Sequence, residues 1–198
     1  SVAVDGSGNV YLTGHFSDTV DFDPGGGTLN LTSAGNTDVY VVKLDSSGNL
    51  AWARQFGGTG SDIGSSVSVD GSGNVYLTGH FSDTVDFDPG GGTLNLTSAG
   101  VKDVFVSKLD SSGNLVWAKS FGGSSYEQSF SVAVDSSGNV HVTGKFNDTV
   151  DFDPGAGTVE LTSNGSTDIF VLKLDSSGDL APGNGSAGVT VAASGGST

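Results

Sequence analysis

The stretch VDFDPG stands at positions 20 to 25, 85 to 90 and 150 to 155, so one unit is written three times with a period of 65 residues. A tandem chain must fold one unit and then pack that unit on itself, which removes most architectures available to 198 residues. The units are 1–65, 66–130 and 131–198, opening with SVAVD, SVSVD and SVAVD, and the third carries a divergent last strand and a C-terminal tail. Within their first 35 residues the first two units differ at a single place, Ala3 against Ser68. Such near identity points to recent amplification, so what the more drifted third unit keeps is the better guide.

Inside a unit the pattern has period two. Val2 and Val4 alternate with Ala3, and Val10, Leu12 and Phe16 share a face opposite Tyr11, Thr13 and His15, which is the signature of β-strands. Between these runs sits DGSGN, a Gly and Asn turn that closes a hairpin. A second hairpin follows, DVYVVKLD and NLAWARQF around SSG, with apolar residues on both faces. Strands of that kind belong in a sheet covered on both sides. The expectation is an all-β fold of β-propeller-like blades: three tandem repeats, each a four-stranded antiparallel meander with an extra loop or hairpin. A β-solenoid is the competing all-β reading, but its coils are shorter and parallel, whereas these turns close antiparallel pairs. The extra stretch runs from Ser17 to Thr37, where GTLNLTS offers a strand to pair with TVDFD.

The motifs SVAVDGSGNVYLTG and DVYVVKLDSSGNLAWARQFGG, with their counterparts, resemble the bacterial β-propeller repeat family of secreted and cell-surface proteins. The resemblance covers nearly all of the first two units and the third as far as Leu180. It implies a blade, an extracellular setting, and often a part in adhesion or surface structure. It carries no common catalytic residues.

Bulk composition narrows the partners. The formal charge is −15, from 22 acidic against 7 basic residues, and a field of that sign repels phosphate backbones and anionic lipid headgroups. Nucleic acid is therefore a poor partner. No apolar run approaches the roughly eighteen residues needed to span a bilayer, so a soluble chain without a transmembrane segment is expected. Cysteine is absent, which excludes disulfides, thiolate metal sites and thiol nucleophiles.

Propellers close with about four to eight blades, and three are too few. The expectation is a homo-oligomer or homopolymer, in which two chains complete a ring or open contacts make a filament, unless the array itself is longer. The third unit adds to this: LAPGNGSAGVTVAASGGST stands in place of LVWAKSFGG, with Pro182 where Trp117 stands one period earlier. Its AGVTVAAS segment alternates like a strand, either replacing the outermost strand locally or delivered to a neighbouring subunit.

The recurring carboxylates are the candidate metal site. If TVDFD is extended, Val20 and Phe22 face one way and Asp21 and Asp23 the other, so calcium could draw oxygen ligands from Asp21, Asp23, Asp86, Asp88, Asp151 and Asp153. Asp18 and Asp38 would add charge if the loop folds back. Asp before Pro-Gly also favours a turn for backbone reasons alone, and that reading stays open. Calcium is thus the one cofactor expected, with none otherwise.

Catalysis finds little support. His15 and His80 lie in GHFSD beside Ser and Asp, but neighbours on a strand splay apart, and the third unit has Lys145 and Asn147 there. These histidines read as surface-strand residues, and His141 as a substitution for Tyr11 and Tyr76. Trp52 and Trp117 read as packing residues in preference to a sugar platform. Tyr126 and Glu127 occur at one junction, between the second and third units. The functional expectation is a non-enzymatic, extracellular or cell-surface structural or adhesive module that self-associates. A calcium-dependent glycan- or protein-binding module is the second reading, and a propeller-scaffold hydrolase or lyase the third.

Overall fold

The computed structural model describes residues 1–181 and 189–192. The first unit holds β1 (Val2–Val4), β2 (Val10–Phe16), β3 (Thr19–Asp21), β4 (Asn30–Thr32), β5 (Asp38–Leu44) and β6 (Leu50–Phe56). The second blade holds β7 (Ile63–Val69), β8 (Val75–Phe81), β9 (Thr84–Asp86), β10 (Asn95–Thr97), β11 (Asp103–Leu109) and β12 (Leu115–Gly123). The third blade holds β13 (Gln128–Val134), β14 (Val140–Phe146), β15 (Thr149–Asp151), β16 (Glu160–Thr162), β17 (Asp168–Leu174) and β18 (Val189–Ala192), so the first strand of each of these blades starts three residues before the repeat boundary.

The long strands form antiparallel meanders in the orders β1-β2-β5-β6, β7-β8-β11-β12 and β13-β14-β17-β18. The short strands pair within each unit, Val20 opposite Leu31 in the first, as TVDFD and GTLNLTS lead one to expect. What period-two patterning does not disclose is where that hairpin goes. β15 joins β12 through Gly122 opposite Asp151 and Gly123 opposite Val150, and a bridge from Gly57 to Asp86 makes the same contact one unit earlier. The small hairpins of the second and third blades thus dock on the outer strand of the blade before them.

The turns explain their own spelling. Asp5 Oδ1 accepts the backbone N–H groups of Ser7 and Asn9, while its Oδ2 accepts from the Asn9 side chain and the Tyr11 hydroxyl. Gly8 takes φ of 81°, a left-handed conformation that a side chain would strain. Asp45, Asp70, Asp110 and Asp135 repeat the arrangement, so D-x-S-G-N is a self-closing loop. In the third unit His141 Nε2 lies 3.4 Å from Asp135 Oδ2, taking over the place of the tyrosine hydroxyl.

The core lies between sheets. Tyr11, Val39, Val41 and Phe56 of the first blade pack against Leu77, Phe81, Phe87 and Phe105 of the second, and Tyr76, Val104, Val106 and Phe121 pack likewise against the third. Val85 and Phe87, from the recurring VDFDPG, are wholly buried, as are Val150 and nearly Phe152. Aromatic pairs link these layers, with Phe56 stacked on Phe87 at 5.8 Å between centroids.

The rewritten end of the third blade resolves within its own chain. Leu180 bridges to Leu174, and β18 then pairs with β17, Val189 opposite Leu172 and Ala192 opposite Ile169. β18 therefore takes the outermost position of its own blade. The glycine- and serine-rich link before it lies outside the described residues.

Candidate functional site

The paired carboxylates expected as metal ligands sit where β3 ends. The regular strand stops at Asp21, and the Asp23 N–H turns back to donate to Asp21 Oδ1 at 3.0 Å. The same oxygen accepts the Leu29 N–H at 2.9 Å, closing the loop, and these two amides hold the Asp21 carboxyl below its ordinary range. Asp23 Oδ1 in turn accepts from the Gly25 N–H. The bonds recur at Asp86 and Asp88 and at Asp151 and Asp153. The extended geometry that would set two carboxylates side by side is replaced by an Asx turn, in which each Oδ1 is committed to loop amides.

Asp18 and Asp38 do not join this pair. Asp18 takes φ of 58° and receives the Ser33 N–H on its carbonyl, and Asp38 is buried at the start of β5, where Oδ2 accepts the Ala34 N–H at 3.0 Å. Among the described residues no group of three or more His, Asp or Glu side chains is arranged to hold a metal ion.

A second cluster sits where one blade passes to the next. Asp62 is fully buried, its Oδ2 accepting the Gly58 N–H and its Oδ1 the Ser82 N–H, and burial pushes its carboxyl up to about 6. Glu127 occupies the same place one unit later, accepts the Gly123 N–H, and is pushed up to about 7 by burial. His80 corrects the expectation of a surface histidine. Its side chain is 2% exposed, because the loop to the third blade brings Tyr126 over it with ring centroids 6.1 Å apart. Burial, helped by Lys102, His15 and Lys145, lowers its imidazole to about 4, so it is neutral near pH 7. Lys102 and Lys145 both approach the Tyr126 ring, at 5.9 and 5.5 Å from its centroid. These groups tie loop to blade, and Asp62, His80 and Glu127 are shut away from solvent.

The tryptophans are inter-blade clasps. Trp52 packs against the core between the first two blades while its indole N–H reaches Ser111 in the second blade's turn. Arg54 donates to Gly113 and Ser112 of the same turn.

The remaining feature is an open face. Leu12, Phe22, Tyr40 and Leu44 of the first blade are half-buried around an open groove of about 410 Å³. Their counterparts Leu77, Phe87, Phe105 and Leu109 are 0% exposed beneath the first blade. Sequence reasoning missed this asymmetry, because the residues on this face of the first two units are nearly the same and differ only in what stands beside them.

Three meanders packed face to face, each clasping the next through its outer strand, define a protein of the β-propeller class. The comparisons with known proteins agree with that class: residues 51–80 match the family described as beta-propeller repeat. It is similar, at 30% identity over 156 residues, to an uncharacterized WD repeat-containing protein of Acanthamoeba polyphaga mimivirus, across 74% of this chain and 11% of that one. It is also 30% identical over 177 residues to the regulatory protein FlaEY of Caulobacter vibrioides, across 88% of this chain and 18% of that one. The chain spans less than a fifth of the length of either relative.

Proposed function

We propose that this chain is a non-enzymatic structural or adhesive propeller module, working outside the cell or at its surface, and that it acts by self-association. One observation carries the reading: the face that is wholly buried in the second and third blades stands open on the first. Phe87 and Phe152 are 0% and 1% exposed, while Phe22, at the same place in the repeat, is half-buried beside a groove. An apolar sheet face of this kind gains free energy when another blade covers it. Each copy carries a charge of −15, so the apolar contact has to outweigh repulsion between like copies, and added salt should favour association.

The test is the mass of the native chain in dilute solution, by light scattering coupled to size exclusion, with negative-stain images of the same fractions. Discrete multimers or regular filaments support the reading. A strictly monomeric chain of 19.7 kDa across the accessible concentrations overturns it.

A further inference from the structure

The open groove of the first blade is matched by a second uncovered face at the other end of the array. Ile169 and Val171 are 48% and 47% exposed on the third blade, whereas Val39 and Val41, one blade-pair earlier, are 1% and 0% exposed against the second blade. A shallow groove of about 160 Å³ lies on the same face, lined in part by His141 and Val171. These are the donor and acceptor halves of one interface. Within the chain that interface is already formed twice, first blade on second and second on third.

Resting on the self-association just proposed, we infer that two copies of this chain join head to tail, the Ile169/Val171 face of each third blade filling the Leu12/Phe22 groove of the other copy's first blade. The occupant is argued from continuity: a copy of this chain brings the face that this groove's counterparts already hold in the second and third blades. Two copies bring six blades together, within the about four to eight with which propellers close.

The seam between copies differs from the seams within a chain. His141 stands on this face where the earlier blades carry Tyr11 and Tyr76, which are 0% and 1% exposed within the seams of the chain. With that large ring replaced, the seam between copies is weaker than the seams within a chain. Dilution therefore opens it before any blade unfolds.

The experiment is light scattering on the wild-type chain and on two single variants, Leu12→Glu in the groove and Ile169→Glu on the donor face, each checked for native fold by circular dichroism. Ile169 is exposed, so its substitution leaves the blade intact, and it carries the test if Leu12→Glu fails to fold. The expected result is a wild-type species of twice the 19.7 kDa chain mass that falls to the chain mass in either variant. An equimolar mixture of the two variants regains the doubled mass through the one intact seam. A wild-type dimer that Leu12→Glu breaks and Ile169→Glu leaves intact overturns the head-to-tail arrangement but keeps self-association, because the first blades then meet each other. Long open polymers overturn closure at two copies. A wild-type monomer overturns both readings.

Discussion

The indole nitrogen of Trp52 donates to the carbonyl oxygen of Ser111 at 3.2 Å, and Trp117 makes the same bond to Ser176 at the same distance. Each ring lies over the glycine of the next blade's turn: a Cβ placed on Gly113 would meet the Trp52 ring at 3.0 Å. The corresponding Gly48, in the first blade, meets nothing within 4 Å. Both glycines have φ near 80°, at 80° and 83°.

Glycine-to-alanine substitutions at these two sites therefore separate conformation from contact. Gly48→Ala is expected to cost about 1–2 kcal/mol from the left-handed backbone alone. Gly113→Ala should cost that and a further ~1–3 kcal/mol from crowding the indole. Urea denaturation of the two variants measures the difference, and equal losses would show that the clasp contributes nothing.

The phenylalanine of VDFDPG offers the same kind of comparison. Phe87→Ala removes a fully buried ring that contacts Phe56, Phe81 and Phe105, and is expected to cost about 3–5 kcal/mol. Phe22→Ala, made in the half-buried first copy, should cost clearly less at dilutions where chains are separate. Thermal unfolding at two protein concentrations reads both numbers, and the cost at Phe22 should rise as chains associate.

A pH dependence follows from the junction carboxylates. Burial raises Asp62 to about 6 and Glu127 to about 7, above their unfolded values, so the folded state holds their protons more tightly. Their contribution to stability is therefore greatest at the acid side and is lost as pH rises through the window from about 4 to 7. Asp5, lowered to about 2 by its bonds to Asn9, acts in the opposite sense and only below that window. Glu127→Gln keeps an acceptor for the Gly123 N–H, and should flatten the melting temperature between about pH 5 and pH 8. An unchanged slope would remove Glu127 as its source.

Metal dependence can be tested at the loops themselves. Asp86→Ala removes the acceptor for the Asp88 and Leu94 N–H groups, with an expected loss of about 1–3 kcal/mol, and Asp86→Asn should recover most of it. Chelation by EDTA should leave melting unchanged. A calcium-dependent rise in melting temperature that Asp86→Asn abolishes would instead give the carboxylates a cation to hold.

How much of this was readable in advance varies residue by residue. DGSGN could be read as a turn because glycine and asparagine tolerate its backbone, and TVDFD with GTLNLTS could be read as a hairpin because strand alternation is local. His80 could not be placed, since its burial comes from Tyr126, more than forty residues away and on the next blade's approach loop. The two carboxylates of VDFDPG were half legible: their side-chain chemistry was plain, but an Asx turn and an extended strand are spelled with the same letters.

The sequence by itself determined the repeat, the antiparallel meander and the composition of each turn, because period-two alternation and backbone preference act over a few residues. Only the tertiary structure decided which copy of a face is covered. Leu12 and Leu77 belong to the same motif, and Leu77 is wholly buried while Leu12 lines a groove. Burial belongs to a pair of blades, and a motif that recurs unchanged carries no record of whether a neighbour stands beside it.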